Sequence, residues 1–149
     1  MSGEAAAEDE LLARRIARGL ARALAREGWT SLAEFPLASG RRADLLALAE
    51  DGRFLLIEIK SSPADFRSDR KWPEYLEWCD LFAFAVAEDF PVGLLPPEPG
   101  LYVADAYDAA LRRPLQASEK MAPARRKALT LRFARLAADR LRRELDPGV

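Results

Sequence analysis

Apolar residues recur along this chain first at helical spacing, then as short continuous runs, then at helical spacing again. Leu12, Ile16, Leu20, Ala23 and Leu24 lie three or four apart, so residues 9–27 read as an amphipathic helix with one apolar stripe. Asp9 and Glu10 suit the positive end of its dipole, and Gly28 suits its C-terminal cap. Gly19, inside the helix, marks either close approach of another backbone or a glycine that the helix simply tolerates. Residues 1–8 are small and acidic and read as a disordered N-terminus. Residues 29–38 alternate loosely as a first strand, with Leu32, Phe35 and Leu37 available to the core and Pro36 marking an edge or a bend. Two apolar runs then flank Glu50-Asp51-Gly52-Arg53. Asp-Gly between such runs predicts a tight hairpin with positive φ at both turn centres. The second run, residues 54–57, is continuously apolar, as in a strand buried on both faces.

Residues 61–70 read as a polar loop, and residues 71–80 as a short helix with Pro73 in its first turn. Residues 81–87 read as another buried strand, so strand, crossover and strand imply a parallel pair with a right-handed connection. Four prolines and two glycines make residues 90–100 a loop. A short strand is expected over 101–106, with Asp105 in a turn or cap rather than in the site, the alternative place for it, and turn, short strand and loop over 107–118. Residues 119–145 form a long amphipathic helix, bent near Pro123, with Leu129, Phe133, Leu136, Ala137 and Leu141 as its apolar stripe. The class is α/β: an αβββαβ core whose mixed sheet is flanked by helices, followed by a long C-terminal helix, in one domain over residues 9–146.

Composition narrows the chemistry. There is no His, which removes imidazole bases, Ser-His-Asp triads and His-ligated metal sites. The single Cys79 excludes an internal disulfide and a thiolate zinc cluster, and fits a reducing cytoplasm. No apolar run is long enough for a membrane span. Net charge is −1, so no global basic excess marks a nucleic-acid binder. Only four of the 23 basic residues are lysine, however, and the arginines cluster towards both termini. On the first helix they form a face that is either solvated or in contact with phosphates.

The buried hairpin nevertheless carries charge. Glu58 and Lys60 lie two apart and share one strand face, and Asp44 begins the partner strand, so both carboxylates finish at the same end of the hairpin. Converging carboxylates repel unless a proton or a cation lies between them. A hard divalent cation, Mg²⁺ or Mn²⁺, suits such oxygen donors and keeps positions for water and phosphate. Lys60 is then placed to orient a water or to neutralise charge developing on a phosphate. The competing explanation is a salt-bridged trio closing a sheet end.

Asp44 on the second strand and Glu58-Ile59-Lys60 on the third, in this order of elements, resemble the PD-(D/E)xK nuclease superfamily, which has a restriction-endonuclease-like core. More of the chain is similar to the MmcB-like family of bacterial DNA-repair proteins within it. The resemblance is carried by Gly40-Arg41-Arg42-Ala43-Asp44, Glu58-Ile59-Lys60-Ser61-Ser62, Asp65-Phe66-Arg67-Ser68-Asp69, Lys71-Trp72, Tyr75, Cys79-Asp80, Phe84-Ala85-Val86 and Arg132-Phe133-Ala134. It implies a metal-dependent DNA nuclease in repair that hydrolyses phosphodiesters with Mg²⁺-activated water, partnered by DNA and by repair proteins. The alternative is a non-catalytic module of the same fold that binds DNA or a partner. By the resemblance Asp44, Glu58 and the Ile59 carbonyl hold the metal, and Lys60 holds the attacking water or the scissile phosphate. Lys71-x-x-x-Tyr75 has the spacing of a substrate-facing Gln-x-x-x-Tyr element in exonuclease-like members. Arg42 and Ser61, beside the motif, are further candidates for DNA contact. Many members place an acid on the first helix, whereas here residues 11–26 hold none, and Glu10 and Glu27 are the nearest.

Overall fold

All six residues of β3 (Phe54–Ile59) are buried, as a strand covered on both faces must be. The computed structural model describes residues 3–68 and 71–148. β3 pairs antiparallel with β2 (Arg42–Leu48) on one side and parallel with β4 (Leu81–Val86) on the other. β1 (Thr30–Pro36) lies antiparallel beside β2, and β5 (Gly100–Ala104) parallel beside β4. β6 (Ala109–Arg113) closes the far edge against β5, and the short β7 (Gln116–Ala117) pairs with the start of β4. The result is an open mixed sheet of seven strands in the order β1-β2-β3-β4-β5-β6, with β7 off that path.

Alternation along β3 divides the core. Leu55, Ile57 and Ile59 pack with Ile16, Leu20 and Leu24 of α1 (Gly3–Arg26). Phe54 and Leu56 pack on the other face with Tyr75 and Leu76 of a 3₁₀ helix (Trp72–Trp78) and with Leu129 and Phe133 of α3 (Pro123–Leu145). Each fully buried side chain of this size contributes about 1.5–3 kcal/mol, so the two layers fix the sheet from both sides. Trp72 stacks on Phe82 with ring centroids 5.6 Å apart, and the Arg125 guanidinium lies 4.1 Å from the Trp78 ring centre. Both tryptophans therefore pack the crossover. At Gly19 an added Cβ would stand 1.8 Å from the Asp105 carbonyl oxygen, so the expected backbone approach is present. Asp105 itself accepts the N–H groups of Tyr107 and Asp108, as a turn residue does.

Several boundaries differ from the sequence reading. α1 begins at Gly3, taking in residues 3–8, which were expected to be disordered; Ala5, Ala6 and Ala7 are the strongest helix formers and extend it. Residues 1–2 of that expected N-terminus lie outside the described residues. The hairpin turn holds three residues rather than two: Ala49 and Arg53 close it, and Gly52 (φ +92°) takes the left-handed position, while Asp51 does not. A short helix, α2 (Pro63–Ser68), forms within the expected loop, and residues 69–70 of that loop, including Asp69 of the family motif, lie outside the described residues. The crossover winds as a 3₁₀ rather than an α-helix. α3 starts at Pro123 instead of bending there, because the fixed φ and missing N–H of proline suit a first turn. Leu141, expected in the apolar stripe, is 59% exposed, and Phe133 is the last buried residue of the helix.

Candidate functional site

The ladder between β2 and β3 runs from Leu48↔Phe54 to Leu45↔Ile57 and stops there. Asp44 and Glu58 are the next residues on the two strands. Their side chains take over where the backbones part: the Asp44 N–H donates to Glu58 Oε1 at 3.1 Å, and the Ile59 N–H donates to Asp44 Oδ2 at 2.8 Å. β3 meanwhile stays paired with β4 through Ile59↔Ala85, and the Lys60 N–H reaches the Ala85 carbonyl at 2.9 Å. The fork thus opens only between β2 and β3, with one carboxylate on each prong.

Burial sets the charge state of the pair. Glu58 is 6% exposed, and loss of water, then the Asp44 charge beside it, push its carboxyl well above the usual range. Asp44 is also raised, chiefly by burial, against the lowering effect of the Ile59 N–H. A proton or a cation between the two is the physical remedy. Lys60 is 5% exposed, and its Nζ lies 3.8 Å from Asp65 Oδ1 on α2. Asp65 is anchored in turn: its Oδ2 accepts the Ser61 N–H, and its own N–H donates to Ser62 Oγ. The sequence carried a signal for this residue, because Ser62-Pro63-Ala64-Asp65 has capping-box spacing with proline at the first helical position. Among the described residues no three His, Cys, Asp or Glu side chains form a metal-holding group.

Asp44 lines a cavity of about 560 Å³ between α1, β1 and β2 with Glu10, Arg14, Arg18, Glu34 and Arg42, and Glu58 and Lys60 are not part of that lining. Glu34 has φ +50°, the left-handed region that a non-glycine residue enters only at a cost. Its neighbours keep register, Ala33 with Leu45 and Phe35 with Ala43, while Glu34 itself, level with Asp44, is unpaired in the ladder. Neither Glu34 nor Asp65 is among the site residues expected from sequence. Arg42 Nη2 lies 4.0 Å from Glu34 Oε1 at the cavity edge. Glu10 lines the cavity too, 3.0 Å from Arg14. Glu27 follows the last turn of α1 and is not part of it.

The structure therefore brings Asp44, Glu58, Ile59, Lys60 and Ser61 together, with Arg42 beside them. Lys71 and Tyr75 are placed differently. Tyr75 is buried, stacked on Phe82, and its hydroxyl donates to the Arg42 carbonyl at 3.3 Å. Lys71 is exposed, and its carbonyl accepts from Arg41 at 3.2 Å. A separate cavity of about 590 Å³, lined in part by Arg15, Asp105 and Tyr107, includes none of Asp44, Glu58 and Lys60. No helix among the described residues is long and apolar enough to cross a membrane.

Comparison with solved structures finds the SPO1766 protein of unknown function from Silicibacter pomeroyi, with a TM-score of 0.86 and 50% sequence identity over 91% of this chain and 92% of that one. No curated protein matches. The family model described as DNA repair protein MmcB-like matches residues 4–148, nearly the whole chain. The chain belongs to the MmcB-like family of DNA repair proteins.

Proposed function

We propose that this protein is a metal-dependent DNA nuclease of the PD-(D/E)xK type that hydrolyses phosphodiester bonds during DNA repair. The observation that carries the reading is the fork: a buried carboxylate, Glu58, and a half-buried one, Asp44, in reciprocal contact with backbone N–H groups, and a buried ammonium two residues beyond Glu58. The donors fit Mg²⁺, or Mn²⁺ in its place. Asp44, Glu58 and the Ile59 carbonyl offer oxygen only, and Mg²⁺ usually takes one or two carboxylates and fills its remaining positions with water and phosphate. The raised carboxyl of Glu58 is the state that a cation would relieve. When bound, such an ion polarises the phosphoryl group and makes water acidic enough to attack at neutral pH.

The chain's own groups do the rest. Lys60 donates to the attacking water or to the phosphate oxygen on which charge develops, and its burial makes that donation stronger than in water. Asp65 holds the Lys60 ammonium at the fork instead of letting it collapse onto Glu58. Arg42 and Ser61 flank the fork as DNA contacts, and Lys71 is the outermost candidate. Tyr75 acts by fixing the Arg42 carbonyl rather than by touching DNA.

The second reading is a non-catalytic DNA- or partner-binding module. It is favoured by the fact that each carboxylate already satisfies a backbone N–H of the other strand, which is structural work in itself. Cleavage assays separate the two. A radiolabelled DNA panel with Mg²⁺ is expected to be cut by wild type, and Glu58→Gln and Lys60→Met are expected to lose roughly 100-fold or more. Equal cleavage by wild type and Glu58→Gln, purified alike, would sink the nuclease reading. Metal-independent binding without cleavage would establish the module.

A further inference from the structure

Beside Glu10, α1 contributes Arg14 and Arg18 to the cavity that Asp44 lines. The two are one helical turn apart, about 6 Å along the axis, a step that suits neighbouring phosphates on one strand. Arg42 stands at the same cavity from β2. The floor between them includes Ala13, Ala17 and Ala33, with no aromatic residue to stack a base. Such a groove grips a backbone and leaves bases unread. Beside Asp44, Glu34 drops out of the β1–β2 pairing, and Arg140 of α3 donates to the Ala33 and Glu34 carbonyls at 2.6 and 2.9 Å.

We propose that the groove between α1 and β1 is a track for one DNA strand, in which Arg14, Arg18 and Arg42 hold backbone phosphates and lead the strand to Asp44. The proposal deepens the nuclease reading and rests on it only for what happens at Asp44. Arg14 contacts Glu10, and Arg42 approaches Glu34. Exposed pairs of this kind are weak and salt-screened, so phosphates can displace them.

The test is fluorescence anisotropy of a fluorescein-labelled oligothymidylate with the full chain, in EDTA and over a series of salt concentrations. The Arg14→Gln/Arg18→Gln double variant is expected to bind about tenfold or more weaker, with a salt slope reduced by about 1–2. Arg42→Gln should behave in the same direction, whereas Arg135→Gln on α3, outside this groove, should bind as wild type does. All these arginines are exposed, and matching thermal melts confirm that the variants fold. Unchanged affinity and slope in the double variant overturn the proposal, as does an equal loss in Arg135→Gln or absence of wild-type binding at low salt. The nuclease reading fails separately: a wild-type protein that binds no divalent cation but loses DNA with Arg14 and Arg18 keeps the track and removes the catalysis.

Discussion

Asp44 and Glu58 each complete the other's strand: the Asp44 backbone N–H donates to the Glu58 carboxyl, and the Asp44 carboxylate accepts the N–H of Ile59. Side chains thus replace two ladder hydrogen bonds at the point where β2 and β3 separate. The exchange keeps buried N–H groups satisfied, as burial requires. It also forces two carboxyls together in low dielectric, which apolar residues would not do. On the proposed function, a cation held between the two would offset that cost.

Stability should record the cost in metal-free protein. The folded-state value for Glu58 lies well above its unfolded one, first from burial and then from the Asp44 charge. Its stabilising contribution is therefore complete below the unfolded value, about 4.3, and is lost as pH rises through the folded value. Glu58→Gln retains an acceptor for the Asp44 N–H and removes the ionisation. In EDTA, its melting temperature relative to wild type should climb as pH increases, reaching a gain of a few degrees, equivalent to about 1 kcal/mol. Thermal melts across pH check this, and a difference that stays flat with pH contradicts it. The comparison with wild type matters because Asp51, Asp80 and Asp108, each lowered by hydrogen bonds, shift the whole curve the other way.

Asp65 should matter for turnover more than for metal. Asp65→Asn removes the charge 3.8 Å from the Lys60 ammonium while leaving Asp44, Glu58 and Ile59 in place. Cleavage should fall about 10- to 100-fold, the usual effect of losing an orienting partner, with Mn²⁺ affinity nearly unchanged. An equal fall in both would assign Asp65 to the metal instead.

Gly19→Ala tests the packing of α1 on the β5–β6 turn. The new methyl would meet the Asp105 carbonyl oxygen at 1.8 Å, with the Asp108 carbonyl oxygen at 2.8 Å. Backbone on both sides cannot rotate away, so the cost should exceed the ~1–3 kcal/mol of ordinary overpacking. Melting should drop by roughly 5 °C or more. A melt that matches wild type would mean that the helix slides freely over this turn.

Much of this was legible in the chain because short-range signals agreed with long-range ones. The stripe of Leu12, Ile16 and Leu20, the continuous run from Phe54 to Ile57 and the Asp-Gly turn each pointed to one element, and the meander followed. Charge on a strand that had no reason to bear it exposed Asp44, Glu58 and Lys60. What stayed hidden depended on through-space geometry. Glu34 reads as an ordinary strand residue; its left-handed φ is tied to Arg140, 106 residues away in sequence. Asp65 reads as part of a polar loop, and only the fold sets it against Lys60. Tyr75 had the spacing of a substrate contact, yet burial against Phe82 gives its hydroxyl to the Arg42 carbonyl. The lack of an acid over residues 11–26 was visible, but not that Glu10, together with Arg14 and Arg18, lines Asp44's cavity.

The most direct measurement is calorimetric titration of Mn²⁺ into wild type, Asp44→Asn and Glu58→Gln. A cation held between the two carboxylates gives one saturable site in wild type, with protons released on binding because Glu58 must ionise. Both variants should lose that site while keeping the fold. No heat in wild type, or the same isotherm in all three proteins, would contradict a metal centre at this fork.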